Sequence, residues 1–288
     1  MFEHIPTNGI TLHTALAGPP DGPPVVLLHG FPEYWRGWLP QIQALAGEGF
    51  RVIAPDQRGY NLSDKPAEMS AYDVSELARD VVGLADALGY ERVHLAGHDW
   101  GAVVAWVVAA KFPERLHSLT IANVPHPAVY SRTVRRSPEQ FLRSWYVVFF
   151  QLKPLTEWLL SRGDFAGLLT MMRRSSKPDT FTAEDFDAYR EAWAQPGALT
   201  GMLNWYRAAF RRFTARDRGA FGRVEPITVP TLMLWGKRDV ALSHKMAEPS
   251  IALCQQGRLR FFEEATHWVQ HDEAAAVSAE LIAHIRSV

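Results

Sequence analysis

The stretch VHLAGHDWGA, Val93–Ala102, decides how this chain is read. A short apolar run enters Gly97-His98-Asp99-Trp100-Gly101 and leaves as the helical pattern WGAVVAWVVAAKF, so a strand passes into a helix through a tight turn. The pattern G-x-D-x-G has the shape of a nucleophile elbow, G-x-S-x-G, with a carboxylate where the serine stands. The flanking glycines permit the turn. Free N–H groups at the start of the helix favour negative charge there. Taken alone, Asp99 reads equally well as an N-cap, which aspartate fills readily. Its company has to decide.

Outward from this stretch, short β-branched runs alternate with helical segments, the signature of a mostly parallel sheet covered by helices on both faces. PVVLLHG (Pro24–Gly30) and RVIAPD (Arg51–Asp56) are near-continuous apolar runs, as strands buried on both faces require. A helix-like segment begins near Trp35. In Tyr72–Gly89, apolar residues fall at Val74, Leu77, Val81, Leu84 and Leu88, an amphipathic helix that stops at a glycine. SLTIANV reads as a further strand. From PHPAVYSRTVRRSPEQ to about Val224 the pattern changes to helices and loops. Strands resume in VPTLMLWGKRD (Val229–Asp239) and RLRFFEEA (Arg258–Ala265), followed by a closing helix. The expected architecture is α/β, with a core over 1–128 and 226–288 interrupted by a helical cap over 129–225. Sites in such sheets lie beyond the carboxyl ends of the strands, so the cap would act as a lid.

Composition narrows the function classes. The 47% hydrophobic and 21% charged content is that of an ordinary globular protein, and 288 residues suffice for one large domain with an insertion. Acidic and basic residues number 31 and 30, so no global field favours nucleic acid or an anionic membrane. The local arginines, Arg132, Arg135 and Arg136, then Arg211 and Arg212, read as solvated helix faces. Cys254 is the single cysteine, which excludes an intrachain disulfide and a cysteine-based metal site. With Glu3 and Pro6 where a signal peptide needs a basic start and an apolar run, a cytoplasmic protein is expected. WYVVFF (Trp145–Phe150) is far too short to span a bilayer, so no membrane insertion is expected.

A hydrolytic triad on this architecture runs nucleophile, acid, histidine along the chain. Asp239 ends LMLWGKRD and His267 follows RFFEEAT, so both fall just after strands, as Asp99 does. Each alone could be a loop residue; the order and the placement after three separate strands are what carry weight. HGFPE (His29–Glu33) follows a buried strand, where the N–H groups of Phe31 and Trp100 would form a two-donor oxyanion hole. His29 and His98 read as packing and hydrogen-bonding supports. An ionised aspartate can displace a leaving group from saturated carbon and form an ester. The Asp239–His267 pair would then activate water against that ester. In the cap, Tyr146 shares a helical line with Leu142 and Phe149, and Tyr206 one with Met202 and Phe210, so each hydroxyl is expected within a core-facing apolar stripe. Ordinary amphipathic tyrosines would look the same. Tyr130 and Tyr189 lack so clear a stripe.

With HGFPE, APDQRGYNLSDKP, GHDWGA, NVPHP, MLNWYRA, GKRD and THWVQHDEA, nearly the whole chain resembles the α/β-hydrolase-fold epoxide hydrolases. The resemblance implies Asp99 as nucleophile and Asp239 and His267 as acid and base. It also implies Tyr206 and Tyr146 as donors to the epoxide oxygen, and a cis bond before Pro32. It implies a small apolar epoxide and water as reactants, no cofactor, no metal and no nucleic-acid partner, in a monomer or homodimer. Asn61 departs from the glycine that relatives often carry, and Ala102 from a second glycine after Trp-Gly. Haloalkane dehalogenases are similar in fold and nucleophile, but commonly carry asparagine where this chain has Phe31. The fluoroacetate type has arginine where Trp100 stands. A binding protein on a retired hydrolase scaffold is the remaining alternative, against which Asp239 and His267 are both present. Trp145, Trp158, Trp193 and Trp205 fit an aryl substrate or plain helix packing.

Overall fold

The computed structural model describes residues 1–214 and 226–288. Eight strands form one sheet: β1 (Phe2–Thr7), β2 (Ile10–Ala17), β3 (Pro24–Leu28), β4 (Arg51–Pro55), β5 (Val93–His98), β6 (Leu116–Ala122), β7 (Thr231–Gly236) and β8 (Gly257–Phe262). Their spatial order is β1-β2-β4-β3-β5-β6-β7-β8. All pairs from β4 to β8 are parallel, and β1–β2 and β2–β4 are antiparallel. The β1–β2 hairpin lies upstream of every strand expected from the sequence. Its signal is Asn8-Gly9, both at positive φ (41° and 75°), the turn that two-residue hairpins demand.

Alternation along the strands builds two cores, one on each face of the sheet. Val26, Leu28 and Ile53 pack on one face with helices α2 (Val74–Ala87) and α3 (Trp100–Lys111). Val25, Leu27 and Val52 pack on the other with α1 (Leu39–Gly47) and α12 (Ala274–Arg286). In α2, Val74, Leu77, Val81 and Leu84 are buried at the expected spacing, and the Asp73 carboxylate caps the helix by accepting from the Ser75 N–H. Helix α3 is apolar nearly all round because it lies between the sheet and its neighbours.

Between β6 and β7 the regular elements among the described residues are helices: α4 (Pro127–Arg136), α5 (Pro138–Arg143), α6 (Trp145–Phe149), α7 (Leu155–Ser175, kinked by non-helical backbone at Arg162, Gly163, Asp164 and Phe165), α8 (Ala183–Trp193) and α9 (Ala198–Thr214). Residues 215–225 of the expected cap lie outside the described residues. The expected line Leu142–Tyr146–Phe149 does not hold. The helix breaks at Ser144, so α5 and α6 do not share a register, and Leu142 is 68% exposed while Tyr146 and Phe149 are half-buried. The line Met202–Tyr206 is continuous within α9, with both residues buried and Phe210 half-buried. The last part of the chain adds α10 (Ala247–Ile251), the short α11 (Val269–Asp272) and α12. No described helix is long and apolar enough to cross a membrane.

Candidate active site

The parallel register brings the carboxyl ends of β3, β5, β7 and β8 to one edge of the sheet. Leu28 pairs with Gly97 and Gly236 with Phe262, so the loops that follow these strands emerge side by side. Asp99 sits between β5 and α3 at φ 48°, ψ −122°, a conformation that L-residues seldom adopt. Close packing of the turn explains its glycines. A Cβ on Gly97 would lie 2.4 Å from the Gly101 carbonyl oxygen, and one on Gly101 would lie 2.1 Å from that of Leu28. A Cβ on Gly30 would meet Asp99 itself.

The Asp99 carboxylate is held from two sides. Its Oδ1 accepts a 2.7 Å hydrogen bond from the Phe31 N–H, and its Oδ2 lies 3.5 Å from Nε2 of His267. The His267 Nδ1–H donates to Asp239 Oδ2 at 2.8 Å. Asp239 is oriented in turn by three donors: the N–H groups of Ala241 and Leu242 (2.7 and 2.8 Å) and the Asn123 amide (2.8 Å). Burial alone would push the His267 imidazole down. The Asp239 carboxylate outweighs it, with help from Asp99, and raises the pKa to about 10. Burial would likewise raise Asp99, but the hydrogen bond and charge of His267 hold it below its ordinary value, ionised at neutral pH.

Aromatic rings of the helical segment close over this point. The Tyr206 ring packs edge-on against Trp100 (5.0 Å between centroids), Phe31 (5.2 Å) and Phe150 (4.8 Å), and Tyr146 lies 5.9 Å from Tyr206. Burial, then neighbouring charge, raises both phenols well above their ordinary value, so both stay protonated. Neither hydroxyl donates to an acceptor among the described residues; the Trp100 indole N–H donates to the Tyr206 oxygen and offsets a little of that rise. The other tyrosines of this segment are engaged: Tyr130 donates to Ser144 Oγ at 3.0 Å, and Tyr189 to Glu33 Oε1 at 2.7 Å. Trp193 and Trp205 are buried and donate to the Pro32 and Arg58 carbonyls, whereas Trp145 and Trp158 face outward. None of the four indoles donates into the space beside Asp99.

A second group of side chains supports these from behind, of which the sequence pointed to His29 and His98 and not to the others. The His98 Nε2–H donates to the His267 carbonyl oxygen at 2.8 Å, which fixes its tautomer because a carbonyl only accepts. Buried Glu33 accepts from Gln270 (3.0 Å), His271 (2.6 Å) and Tyr189. Burial would raise its carboxyl, but the His271 imidazole above all holds it well below the usual carboxylate range. Asn123, at φ 56°, accepts from the Gly236 N–H with Oδ1 while its amide serves Asp239. The signal available was an asparagine just past β6, a residue that tolerates positive φ. His29 accepts from the Gln57 N–H at 3.0 Å and bonds the Gly30 carbonyl. The bond before Pro32 is cis. Among the described residues no group of three or more His, Cys, Asp or Glu side chains is placed to hold a metal ion.

Residues 23–274 match the family model described as alpha/beta hydrolase fold. The chain is 44% identical over 285 residues to the AB hydrolase superfamily protein YfhM of Bacillus subtilis, covering 99% of this chain and 98% of that one. It is 35% identical to mouse Epoxide hydrolase 4, covering 99% of this chain and 79% of that protein. Among solved structures, a Bacillus megaterium epoxide hydrolase in complex with an inhibitor superposes with a TM-score of 0.90 at 29% identity, over 99% of this chain and 100% of that one. Epoxide Hydrolase A from Mycobacterium thermoresistibile superposes with a TM-score of 0.88 at 32% identity, over 99% and 98%. A nearly full-length match in sequence and in architecture leaves one assignment: the chain belongs to the epoxide hydrolase family of the α/β-hydrolase fold.

Proposed function

We propose that this protein converts epoxides to vicinal diols through an ester on Asp99, beneath a lid formed by the helices between β6 and β7. Oδ1 of Asp99 is occupied by the Phe31 N–H, which leaves Oδ2 to attack an epoxide carbon. The C–O bond of the ring breaks as the C–Oδ2 bond forms, and a hydroxyl of Tyr146 or Tyr206 donates its proton to the departing oxygen. Alkylation removes the Asp99 charge, one of the two that keep His267 protonated. The imidazole can then give up its proton, which restores the phenol, and act as base for water attacking the Asp99 carbonyl carbon. The tetrahedral oxygen forms on Oδ1, where the N–H groups of Phe31 and Trp100 receive it. In the collapse the protonated imidazole gives its proton to the departing alkoxide oxygen, which releases the diol, and the Asp99 carboxyl proton then passes to His267, restoring the carboxylate and the protonated imidazole.

The observation that carries this reading is the pair of protonated phenols, each with its O–H free to donate, set over a carboxylate in an elbow. A strained epoxide oxygen requires such proton donors as its charge develops; a halide is content with N–H groups. The test offers an aryl epoxide and a haloalkane in parallel to the wild type and to His267→Gln. Diol without halide is expected from the wild type, and a protein mass raised by that of the epoxide from His267→Gln. Halide without diol, or rapid diol formation by His267→Gln, would overturn the assignment.

A further inference from the structure

The outer face of the helical segment carries apolar surface that the site does not use. Of the fourteen large apolar side chains exposed among the described residues, eight lie between Phe141 and Leu159. Phe141 of α5, Trp145 and Val148 of α6, Leu152 in the turn that follows, and Leu155 and Trp158 at the start of α7 all face solvent, Trp145 at 64% and Trp158 at 52%. Core helices do not present such a stripe outward; a continuous exposed apolar face marks a surface that something covers.

Among the described residues, the unpaired charges in and beside this stretch of sequence are cationic. Arg132, Arg136, Lys153 and Arg162 are exposed and form no ion pair among the described residues, and the Arg162 guanidinium lies 4.4 Å over the Trp158 ring. The acidic side chains of the same stretch are already matched: Glu139 with Arg143 at 2.8 Å, Glu157 with Arg207 at 2.7 Å, Asp164 with Arg190 at 3.0 Å. The balanced net charge of the chain therefore conceals a local cationic excess around an apolar centre. A second copy docked by a twofold axis would set these cations against themselves. An anionic bilayer surface suits both components. Tryptophans settle at the headgroup level, leucines enter the acyl boundary, and arginine and lysine stems lie along the surface with their charges outward.

We propose that the face from Phe141 to Leu159 adsorbs to bilayers bearing anionic phospholipid headgroups. The same five-residue helix, α6, turns Trp145 and Val148 to the outside and Tyr146 toward Tyr206, so the adsorbing face and the phenols are two sides of one wall. That this would deliver lipid-dissolved substrates rests on the epoxide reading above; adsorption itself does not.

The test floats the full chain with phosphatidylcholine vesicles, with and without phosphatidylglycerol, at low and high salt. The wild type is expected to float with the anionic vesicles and to release them at high salt. Trp145→Ser/Trp158→Ser should weaken binding by about tenfold or more, since it removes most of the aromatic anchor. Lys153→Glu/Arg162→Glu should abolish the preference for anionic vesicles, each lost cation being equivalent to about fivefold in affinity. Both variants should turn over a water-dissolved aryl epoxide at the wild-type rate. Flotation without diol formation by any form would sink the epoxide reading and support the surface assignment. Wild-type protein that ignores both vesicles would overturn the assignment, as would a dimer in sedimentation that the tryptophan variant dissociates.

Discussion

At the scale of single residues, the histidine beside Asp99 is defined by the two carboxylates it faces. Its pKa near 10 means that the folded protein keeps a proton which the unfolded chain releases near the ordinary 6.5. The stability from this site is complete below about pH 6.5 and is lost as pH rises toward 10. Thermal midpoints measured across that interval should fall, and His267→Gln should flatten the fall. The phenols make a second prediction. Tyr206→Phe should slow ester formation by about a hundredfold, and Tyr146→Phe/Tyr206→Phe by considerably more, as loss of a preorganised donor does elsewhere. Stopped-flow quenching of tryptophan fluorescence reads that step, and an unchanged rate in the double variant would remove these tyrosines from the reaction. Asp99, Asp239 and His267 could be located in the sequence because each follows a strand. Glu33 and Asn123 could not be assigned partners, because theirs are 237 and 116 positions away.

At the scale of elements, the elbow between β5 and α3 is the tightest passage in the site. It holds Asp99 at positive φ, a strain of about 1–3 kcal/mol that the surrounding contacts must offset. Gly97→Ala would drive a methyl group into the backbone of Gly101, and we expect it to cost about 3 kcal/mol, read as a lower urea midpoint with unchanged slope. Gly49→Ala, where nothing lies within reach of the Cβ but φ is +86°, should cost about 1 kcal/mol, through backbone conformation alone. Helices α2 and α3 and the central strands were legible because their apolar periods are long and uninterrupted. Helices α5 and α6 were not: a break at one serine rotates every later side chain, and nothing in the local pattern announces it. Asn61 illustrates the converse. It stands at φ 39° with its amide on Asp56 Oδ2 (2.8 Å), so asparagine meets a conformational demand that otherwise favours glycine.

At the scale of the whole molecule, the helical segment is tied to the sheet by buried polar contacts. The Trp193 indole donates to the Pro32 carbonyl at 2.6 Å, Tyr189 to Glu33 at 2.7 Å, and Gln140 to the Ala241 carbonyl at 2.9 Å. Tyr189→Phe leaves an ionised buried carboxylate short of one donor, and should lower the free energy of unfolding by about 2 kcal/mol in denaturant titration. An unaffected midpoint would mean that His271 and Gln270 satisfy Glu33 without it. Fold class, the mostly parallel sheet and the positions of Asp99, Asp239 and His267 were determined by the sequence alone, because apolar period and turn chemistry act over a few neighbouring residues. Which tyrosine hydroxyls stay free to donate, which tryptophans turn outward and where Glu33 finds its donors were decided only in the tertiary structure. Those outcomes depend on groups far apart in the chain meeting in a dry interior, where a hydrogen bond to one partner excludes another.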